Sequence, residues 1–170
     1  LAEQGHLCCY CMNRIRDAFQ GMKIEHWAPR DRHPELDFGN LQGACSGNEG
    51  APRREQHCDT AKGDRPIGLD PRSADCERRV RCSIRGELIG AEVDAQRDLE
   101  VLNLNLPRLR AARAAALLAV QEWAAARPGQ RSRAQLEAKI RVLETPNAEG
   151  HLQPFVGVVV AWLRTRAAQR

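Results

Sequence analysis

Two kinds of hydrophobic patterning divide the chain near residue 95. Residues 1–95 contain only short apolar runs, such as "MKIEHWAP", between stretches rich in Gly, Pro, Cys and His. From about residue 98 onward Ala, Leu and Arg dominate, and apolar side chains recur at steps of three and four or their multiples, the spacing of one helix face. This spacing predicts one long helix whose buried face carries Leu99, Leu102, Leu106, Leu109, Leu117 and Val120.

Local signals divide the second half of the chain into three helices. The sequence "RPGQ" at 127–130 interrupts the first of them. Ser132 followed by Gln135 is a capping box, which predicts the start of a second helix. Pro146 ends that helix, and Pro154 is suitably placed to start a third. The chain is therefore expected to place a Cys-rich module before an α-helical segment.

In the first half, the stretch "KIEHWAPR" alternates in the manner of a short strand that runs into a loop at Pro29. It places Glu25 next to His26. Neighbouring side chains of a strand point to opposite faces, so both residues can serve one site only if the strand ends or bulges there.

Composition limits the classes of protein to which the chain can belong. Its 170 residues suffice for one domain with a real core, or for a small module with a helical extension. A net charge of +4 is compatible with nucleic-acid binding without establishing it. The longest apolar run, "FVGVVVAWL", is shorter than the ~20 residues that span a bilayer. Since no secretory leader precedes the cysteines, the protein is expected in the cytoplasm.

Seven cysteines are an odd number, which argues against a fully paired disulfide framework. Cys8 and Cys11 form a CxxC pair, whose short loop lets two thiolates reach one tetrahedral zinc ion. Cys45 and Cys58 are the candidates for a second pair, once the Gly-, Pro- and charge-rich stretch between them is treated as an inserted surface loop. His57 is the alternative to Cys58 as the fourth ligand, and buried or free thiols without metal are the alternative to a zinc site.

Several other residues have ordinary structural interpretations. Cys9, Cys76 and Cys82 are expected to be small buried or half-buried residues. Trp27 is expected to pack rather than to stack on a base. Arg113 falls on the apolar stripe of the long helix, so its stem is expected to lie along apolar surface with its head group in water, a buried ion pair being the alternative.

Four polar residues, three between the candidate zinc ligands and one directly after Cys58, have the functional groups that phosphodiester hydrolysis requires. His26 can deprotonate a water molecule near neutral pH. Glu25 and Asp59 can hold a hard divalent cation such as Mg²⁺, which stabilises charge on the transition state and the leaving oxygen. Asn40 can orient the imidazole through its amide oxygen. The alternative is a surface Glu25–His26 pair beside a tryptophan, with no catalytic role.

The residues quoted as "CCYC…IEHWAPR…LDFGNLQGAC…HCDTAKG" resemble the motif of HNH endonucleases. The resemblance is closest to the HNH nucleases of Septu anti-phage systems, and it extends into "IGLDPRSADC" and "DLEVLNLNLPRL", over about two thirds of the chain. It implies an α+β fold: a zinc-stapled ββα-metal module over 1–95, followed by an α-helical extension over 96–170. The long loop before Cys58 departs from the compact CxxC of most HNH proteins.

The resemblance also implies roles for individual residues. His26 matches the general base, Glu25 a ligand of a catalytic Mg²⁺ or Mn²⁺ ion, and Asn40 the middle Asn of the motif. Asp59 takes the last motif position, where many relatives have His or Asn, and so keeps an oxygen ligand for the cation. Lys62 and Arg30 are expected to contact nucleic acid, although Lys62 has the alternative of an ordinary solvated lysine.

The implied activity is metal-dependent hydrolysis of nucleic acid, with DNA favoured, beside an ATPase partner of the Septu system in a hetero-oligomer. The helical extension is the expected docking region for that partner. The alternatives are an RNA or tRNA nuclease that uses the same site, and a zinc-stabilised binding or adaptor domain without catalysis.

Overall fold

The computed structural model describes residues 1–16, 21–28, 36–126 and 131–170. Within these ranges the chain is a mixed α+β protein with two small antiparallel hairpins and six α-helices. The first hairpin pairs β1 (Lys23–His26) with β2 (Leu41–Ala44), and the second pairs β3 (Val80–Cys82) with β4 (Leu88–Gly90). The helices are α1 (Cys58–Lys62), α2 (Asp75–Arg79), α3 (Val93–Val101), α4 (Pro107–Ala125), α5 (Arg133–Glu144) and α6 (Val156–Ala168). The general α+β class is thus confirmed.

The strand expected around "KIEH" is confirmed as β1, and His26 is its last residue. In the hairpin register Glu25 lies opposite Gln42, and both side chains are buried on the face that α1 covers. Ile24, on the other face, is 64% exposed. Pro29, which was expected to end the strand, lies outside the described residues.

The prediction of one long helix from about residue 98 is wrong, because this part of the chain forms two helices, α3 and α4. α3 ends at Val101 and Leu102 caps it, Asn103 adopts a left-handed backbone conformation, and Pro107 is the first residue of α4. A proline at this position lacks the N–H that a first-turn residue leaves unbonded and has a φ suited to the helix. The apolar stripe nevertheless packs inward, because the stripe leucines before and after the break are buried, with Leu106 half-buried.

Buried apolar side chains form two clusters. The first joins the Cys-rich segment, the first hairpin and β4 to four leucines from beyond residue 95: Leu99, Leu102, Leu104 and Leu109. The second is built by the C-terminal helices around Val120, Leu136, Ile140 and Leu163. The proposed boundary at 95/96 stays a prediction, since residues on both sides of it share the first cluster.

The helix signals near the C-terminus are confirmed. Ser132 accepts the backbone N–H of Gln135 and Gln135 accepts that of Ser132, so the capping box at the start of α5 is complete. Pro154 lies just before α6. The "RPGQ" interruption lies outside the described residues. No helix in the described ranges is long and apolar enough to cross a membrane.

The segment before α6 is bonded to the beginning of the chain. The N–H of Leu152 donates to the carbonyl of Gly5, and the N–H of Phe155 donates to the carbonyl of Met12, each at 3.0 Å. The Arg14 guanidinium donates to the Leu152 carbonyl. These bonds attach the first Cys-bearing turn to the C-terminal helices.

Arg113 corrects the expectation of a solvated head group, because its side chain is 1% exposed. Its Nε donates to the Gly86 carbonyl at 2.7 Å and its Nη2 to the Leu104 carbonyl at 2.8 Å, with Asn105 Oδ1 at 3.2 Å. The acceptors of the guanidinium are therefore uncharged oxygens, and the bond to Gly86 joins α4 to the second hairpin. These contacts are not those of a buried ion pair, which was the alternative. Burial lowers the pKa of Arg113.

Candidate metal centre and carboxylate pair

The sulfur atoms of four cysteines meet at one point, as the sequence predicts. Cys8 Sγ lies 3.7 Å from Cys58 Sγ, and Cys11 Sγ lies 3.8 Å from Cys45 Sγ. All four ligand atoms lie within 4.8 Å of one another. Sulfur atoms at ~2.3 Å from a tetrahedral zinc ion would be about 3.8 Å apart. The cluster can therefore hold zinc, and Cys58 rather than His57 completes the set of four sulfurs.

Two turns present these sulfurs. Cys8 and Cys11 lie in a turn closed by the bond from the Met12 N–H to the Cys8 carbonyl, with Met12 in a left-handed conformation. Cys45 directly follows β2, and Cys58 begins α1. The remaining cysteines are thiols of intermediate exposure, in line with their expected ordinary roles: Cys9, Cys76 and Cys82.

The two ends of the stretch between Cys45 and Cys58 are hydrogen-bonded to each other. The His57 N–H donates to the Gly47 carbonyl at 2.9 Å. Gly47 has a φ of +60°, and a Cβ there would lie 2.1 Å from the His57 carbonyl oxygen, so only glycine fits this close approach. Residues 49–55 between these points are mostly exposed. The insertion is therefore a surface loop whose removal would leave a compact pair of cysteines.

His57 lies beside the sulfur cluster rather than in it. Its side chain is buried, and its Nδ1 is 3.0 Å from Cys58 Sγ and 3.9 Å from Cys45 Sγ. Hydrogen bonds from Cys11, then Cys58, lower the pKa of Cys45 to about 6, and bonds led by that from Cys11 lower the pKa of Cys8. The cluster thus favours the thiolate form of Cys45 near neutral pH and makes that of Cys8 easier to reach, and zinc requires thiolate ligands.

Glu25 lies at the centre of a second buried cluster. Its side chain is 2% exposed, and its Oε1 accepts from Tyr10 Oη at 2.6 Å and from Lys62 Nζ at 2.7 Å. Lys62 is itself 4% exposed and also donates to the His26 carbonyl at 3.0 Å. The solvated alternative for Lys62 is therefore wrong. Contact of Lys62 with a phosphate would require the ammonium to leave Glu25.

Asp59 comes from the first turn of α1 and forms a carboxyl pair with Glu25. Burial, then the hydrogen bond with Asp59, raises the pKa of Glu25 to about 7, although Lys62 and Tyr10 act in the opposite direction. Burial also acts to raise the pKa of Asp59, but its bond with Glu25 and the Lys23 ammonium 3.2 Å away outweigh burial and lower it. Glu25 is thus the carboxyl of the pair that keeps a proton up to about neutral pH, and Asp59 is the one favoured in its charged form.

The other two predicted site residues lie at the end of the hairpin. Asn40 is buried, and its amide bonds the backbone of Ala28 through both atoms: Oδ1 accepts the Ala28 N–H at 2.7 Å, and Nδ2 donates to the Ala28 carbonyl at 3.0 Å. It therefore fixes the chain two residues after His26. The His26 side chain is half-buried and leaves the strand on the face opposite Glu25. Arg30 lies outside the described residues.

Three residues of this cluster were missed by reasoning from the sequence. Tyr10 lies between the zinc-ligand candidates Cys8 and Cys11, and Lys23 stands two positions before Glu25, on the same strand face. Gln42 lies opposite Glu25 in the hairpin, and its buried Nε2 has no hydrogen-bond partner in the structure as described. Strand alternation was the available signal for Lys23 and Gln42, because every second side chain of a paired strand shares a face.

Trp27 matches its expected packing role. It packs against the first apolar cluster, and its Nε1 donates to the Leu69 carbonyl at 3.0 Å.

Taken together, the hairpin and α1 present two carboxyl groups, of which Glu25 has a raised pKa and Asp59 a lowered one, next to a sulfur cluster that can bind zinc. Carboxylate oxygens are the ligands that Mg²⁺ and Mn²⁺ prefer. No protein-family model matches the chain, and no curated protein matches it at a significant level.

Proposed function

We propose that the chain is a metal-dependent endonuclease of the HNH type, with zinc as a structural ion and Mg²⁺ or Mn²⁺ as the catalytic ion. The single observation that carries the proposal is the Glu25–Asp59 carboxyl pair, which β1 and α1 bring together beside the four cysteines. The order hairpin, cysteine, short helix agrees with the ββα-metal module that the sequence resemblance implies. DNA is the favoured substrate.

The donor set fits a hard divalent cation. Glu25 keeps a proton up to about neutral pH, and a cation held by Glu25 and Asp59 would take the place of that proton. When bound, the cation would supply electrostatic stabilisation of the phosphoryl oxygens and of the leaving oxygen.

The chain's own residues have separate tasks in this proposal. Lys62 and Tyr10 hold the Glu25 carboxyl in place through bonds of 2.7 and 2.6 Å. His26 takes a proton from the attacking water. His26 and Glu25 leave β1 on opposite faces, so the proposal requires a phosphate laid across the end of the hairpin, where β1 stops, to contact both the imidazole and the carboxyl pair. Asn40 supports this edge by holding Ala28.

The activity is tested by incubating the zinc-loaded protein with plasmid DNA and with total RNA, with and without Mg²⁺ or Mn²⁺, in the presence of the ATPase partner. We expect cleavage of DNA only when the cation is present. Cleavage of RNA alone would favour the RNA nuclease. Absence of cleavage from both substrates under all conditions would refute the nuclease proposal.

The role of His26 is tested by His26→Ala, with His151→Ala as a matched control. His151 is a half-buried histidine near the C-terminus whose Nδ1 lies 3.4 Å from a Glu149 carboxylate oxygen and whose ring meets that of His6 edge-on. Loss of a general base lowers the rate by about 10²–10⁴-fold. We expect this loss for His26→Ala with zinc content unchanged, and the wild-type rate for His151→Ala. A wild-type rate for His26→Ala would show that the base lies elsewhere.

The role of Asp59 is tested by titrating Mg²⁺ or Mn²⁺ against Asp59→Asn. Removal of one charged ligand is expected to raise the cation concentration needed for half-maximal cleavage as well as to lower the rate. An unchanged titration curve would contradict the role of Asp59 as a cation ligand.

A zinc-stabilised binding module without catalysis is the second candidate. It is favoured by the fact that Lys62 and Tyr10 already satisfy Glu25, which gives the buried carboxyl a purely structural explanation. This candidate predicts nucleic-acid binding that is indifferent to His26→Ala and to the divalent cation.

For the helical segment we propose docking to an ATPase of the Septu type. Helices α4–α6 bury most of their apolar side chains in their own cluster, yet Leu118 is 54% and Val142 67% exposed. Surface variants are the appropriate test, because truncation would remove the bonds from Leu152 and Phe155 to the first Cys turn. Leu118→Glu is expected to weaken co-purification with the ATPase, whereas Ile84→Glu, at an exposed turn of the second hairpin, is not. Equal co-purification of both variants would exclude this face.

A further inference from the structure

We infer that the loop inserted between Cys45 and Cys58 is a contact surface for the phosphate backbone of a nucleic acid. The inference rests on the proposed nuclease function and names a part of the chain that would hold its substrate. The loop surface is defined by four exposed arginines: Arg53, Arg54, Arg65 and Arg108.

The loop is held in one conformation by residues from the junction of α3 and α4. Asn103 Nδ2 donates to the carbonyls of Arg54 and Gln56, at 3.1 and 2.7 Å. Arg108 Nη2 donates to the Glu55 carbonyl at 3.1 Å. A short 3-10 turn, Arg53–Glu55, occupies the outer part of the loop. Because these hydrogen bonds already hold the backbone of the loop, the loop would lose little conformational entropy when it binds a ligand.

Most of the positive charge on the loop surface is not neutralised by carboxylates. The Arg65 guanidinium donates to the carbonyls of Lys62, Ala61 and Val101. The Arg108 guanidinium donates to the Glu55 carbonyl. Arg53 makes no ion pair with any described residue. Carbonyl oxygens fix the direction of a guanidinium but leave its unit charge in place, and guanidinium geometry matches phosphate oxygens.

Two carboxylates lie on the same surface and reduce its charge without cancelling it. Glu55 is 3.7 Å from Arg54 Nε, at the edge of the loop. Asp64 lies next to Arg65 in the chain. Glu49, the remaining acid of the loop, is bound to Lys23. Four guanidinium groups therefore face two carboxylates, which leaves a net positive charge.

The loop surface adjoins the candidate site. A depression of about 640 Å³ lies between the loop and α1, and its lining includes three basic residues, Arg53, Lys62 and Arg65, and one acid, Asp64. Thr60 and Lys62 belong to the same helix as Asp59. A nucleic-acid backbone that ran along the depression would thus reach α1, the helix that carries the Asp59 carboxyl group.

The test measures binding of a labelled 30-base-pair DNA duplex and of a single-stranded RNA of equal length, in Ca²⁺ without Mg²⁺ or Mn²⁺, between 50 and 300 mM salt. Arg53→Gln/Arg54→Gln is compared with Arg81→Gln/Arg85→Gln. Both pairs are exposed and both variants lose the same charge, and Arg81 and Arg85 lie on the second hairpin. Neither Arg53 nor Arg54 donates a side-chain hydrogen bond to a described residue, so we expect both variants to fold with zinc bound.

Each phosphate contact contributes about 0.9 to the slope of log affinity against log salt on a duplex. We expect the Arg53/Arg54 variant to lose up to about 2 from this slope and to bind at least about tenfold more weakly at 100 mM salt, while the Arg81/Arg85 variant keeps the wild-type slope. Equal slopes for the two variants, or no binding of either nucleic acid by the wild type at 50 mM salt, would overturn the inference.

Two further outcomes separate this inference from the proposed activity. Binding that depends on Arg53 and Arg54 without cleavage in Mg²⁺ or Mn²⁺ would refute the nuclease and leave the loop surface standing. Loss of ATPase co-purification in the Arg53/Arg54 variant, with nucleic-acid binding intact, would overturn the inference in favour of an acidic protein partner.

Discussion

Substitution of Lys62 by Met tests the buried ion pair on which the carboxyl pair depends. Lys62 and Glu25 are 4% and 2% exposed and 2.7 Å apart. Removal of one partner of a buried pair costs about 3–5 kcal/mol, because it leaves an uncompensated buried charge. Glu25 can avoid part of this cost by keeping its proton, so we expect Lys62→Met to lower the free energy of unfolding by about 2 kcal/mol at pH 8, where Glu25 of the wild type is ionised.

The loss is expected to depend on pH. Burial raises the pKa of Glu25 from an ordinary 4.5 to about 7 in the folded protein, so the folded state holds a proton that the unfolded state has released. Stability of the wild type attributable to Glu25 therefore falls as the pH rises from about 4.5 to about 7, by roughly 3 kcal/mol. Without Lys62 the pKa of Glu25 rises further, and the fall continues above pH 7. At pH 5.5 Glu25 is protonated in both proteins, and the variant should lose only about 1 kcal/mol.

The measurement is urea unfolding in zinc-saturated buffer at pH 5.5 and pH 8, followed by tryptophan fluorescence. Lys23→Met is the matched control, because its ammonium is 30% exposed and its loss should cost at most about 1 kcal/mol. Addition of Glu25→Gln to Lys62→Met should recover most of the stability. A loss below about 1 kcal/mol at pH 8, or an equal loss at both pH values, would refute the assignment of Lys62 as the counter-charge.

Three further predictions concern the metal cluster, the link to Glu25 and the helical core. Elemental analysis should find one zinc ion per chain in the wild type and in His57→Ala but none in Cys58→Ser; the reverse pattern would make His57 the fourth ligand. Tyr10→Phe removes a bond of 2.6 Å to a buried carboxyl and should lower the free energy of unfolding by about 1.5–3 kcal/mol at pH 8, with zinc retained; an unchanged urea midpoint would contradict the bond. Leu163→Ala, at a fully buried position of α6, should cost about 2–5 kcal/mol in urea unfolding, and a loss under 1 kcal/mol would contradict its burial.

The features that the sequence predicted well depend on neighbours along the chain. A CxxC pair and an inserted loop are local patterns, and the structure brings Cys8, Cys11, Cys45 and Cys58 together as expected. The capping box at the start of α5 is equally local. The break between α3 and α4 could also have been inferred, because Pro107 is a signal for a helix start that outweighs an uninterrupted apolar spacing.

The contacts that were missed join residues far apart in the chain. Lys62 is separated from Glu25 by 37 positions and from the His26 carbonyl by 36, and no composition or spacing indicates that they meet. Arg113 sits on an apolar stripe, which was a signal for burial, but its partners are backbone carbonyls of Gly86 and Leu104 that only the folded chain positions. A helical wheel shows which face is buried and cannot show what that face bonds.

The attachment of the C-terminal segment to the first Cys turn has a consequence for folding during synthesis. Arg14 and Leu152 are 138 positions apart, so this contact forms only after nearly the whole chain has left the ribosome. Until then the Met12 carbonyl lacks the N–H of Phe155, and the Gly5 carbonyl lacks the N–H of Leu152 and has only the Arg14 guanidinium as a donor. The first turn would therefore capture its metal before its surroundings are complete and reach full stability last, and nascent chains stopped before residue 152 should exchange zinc faster than released protein.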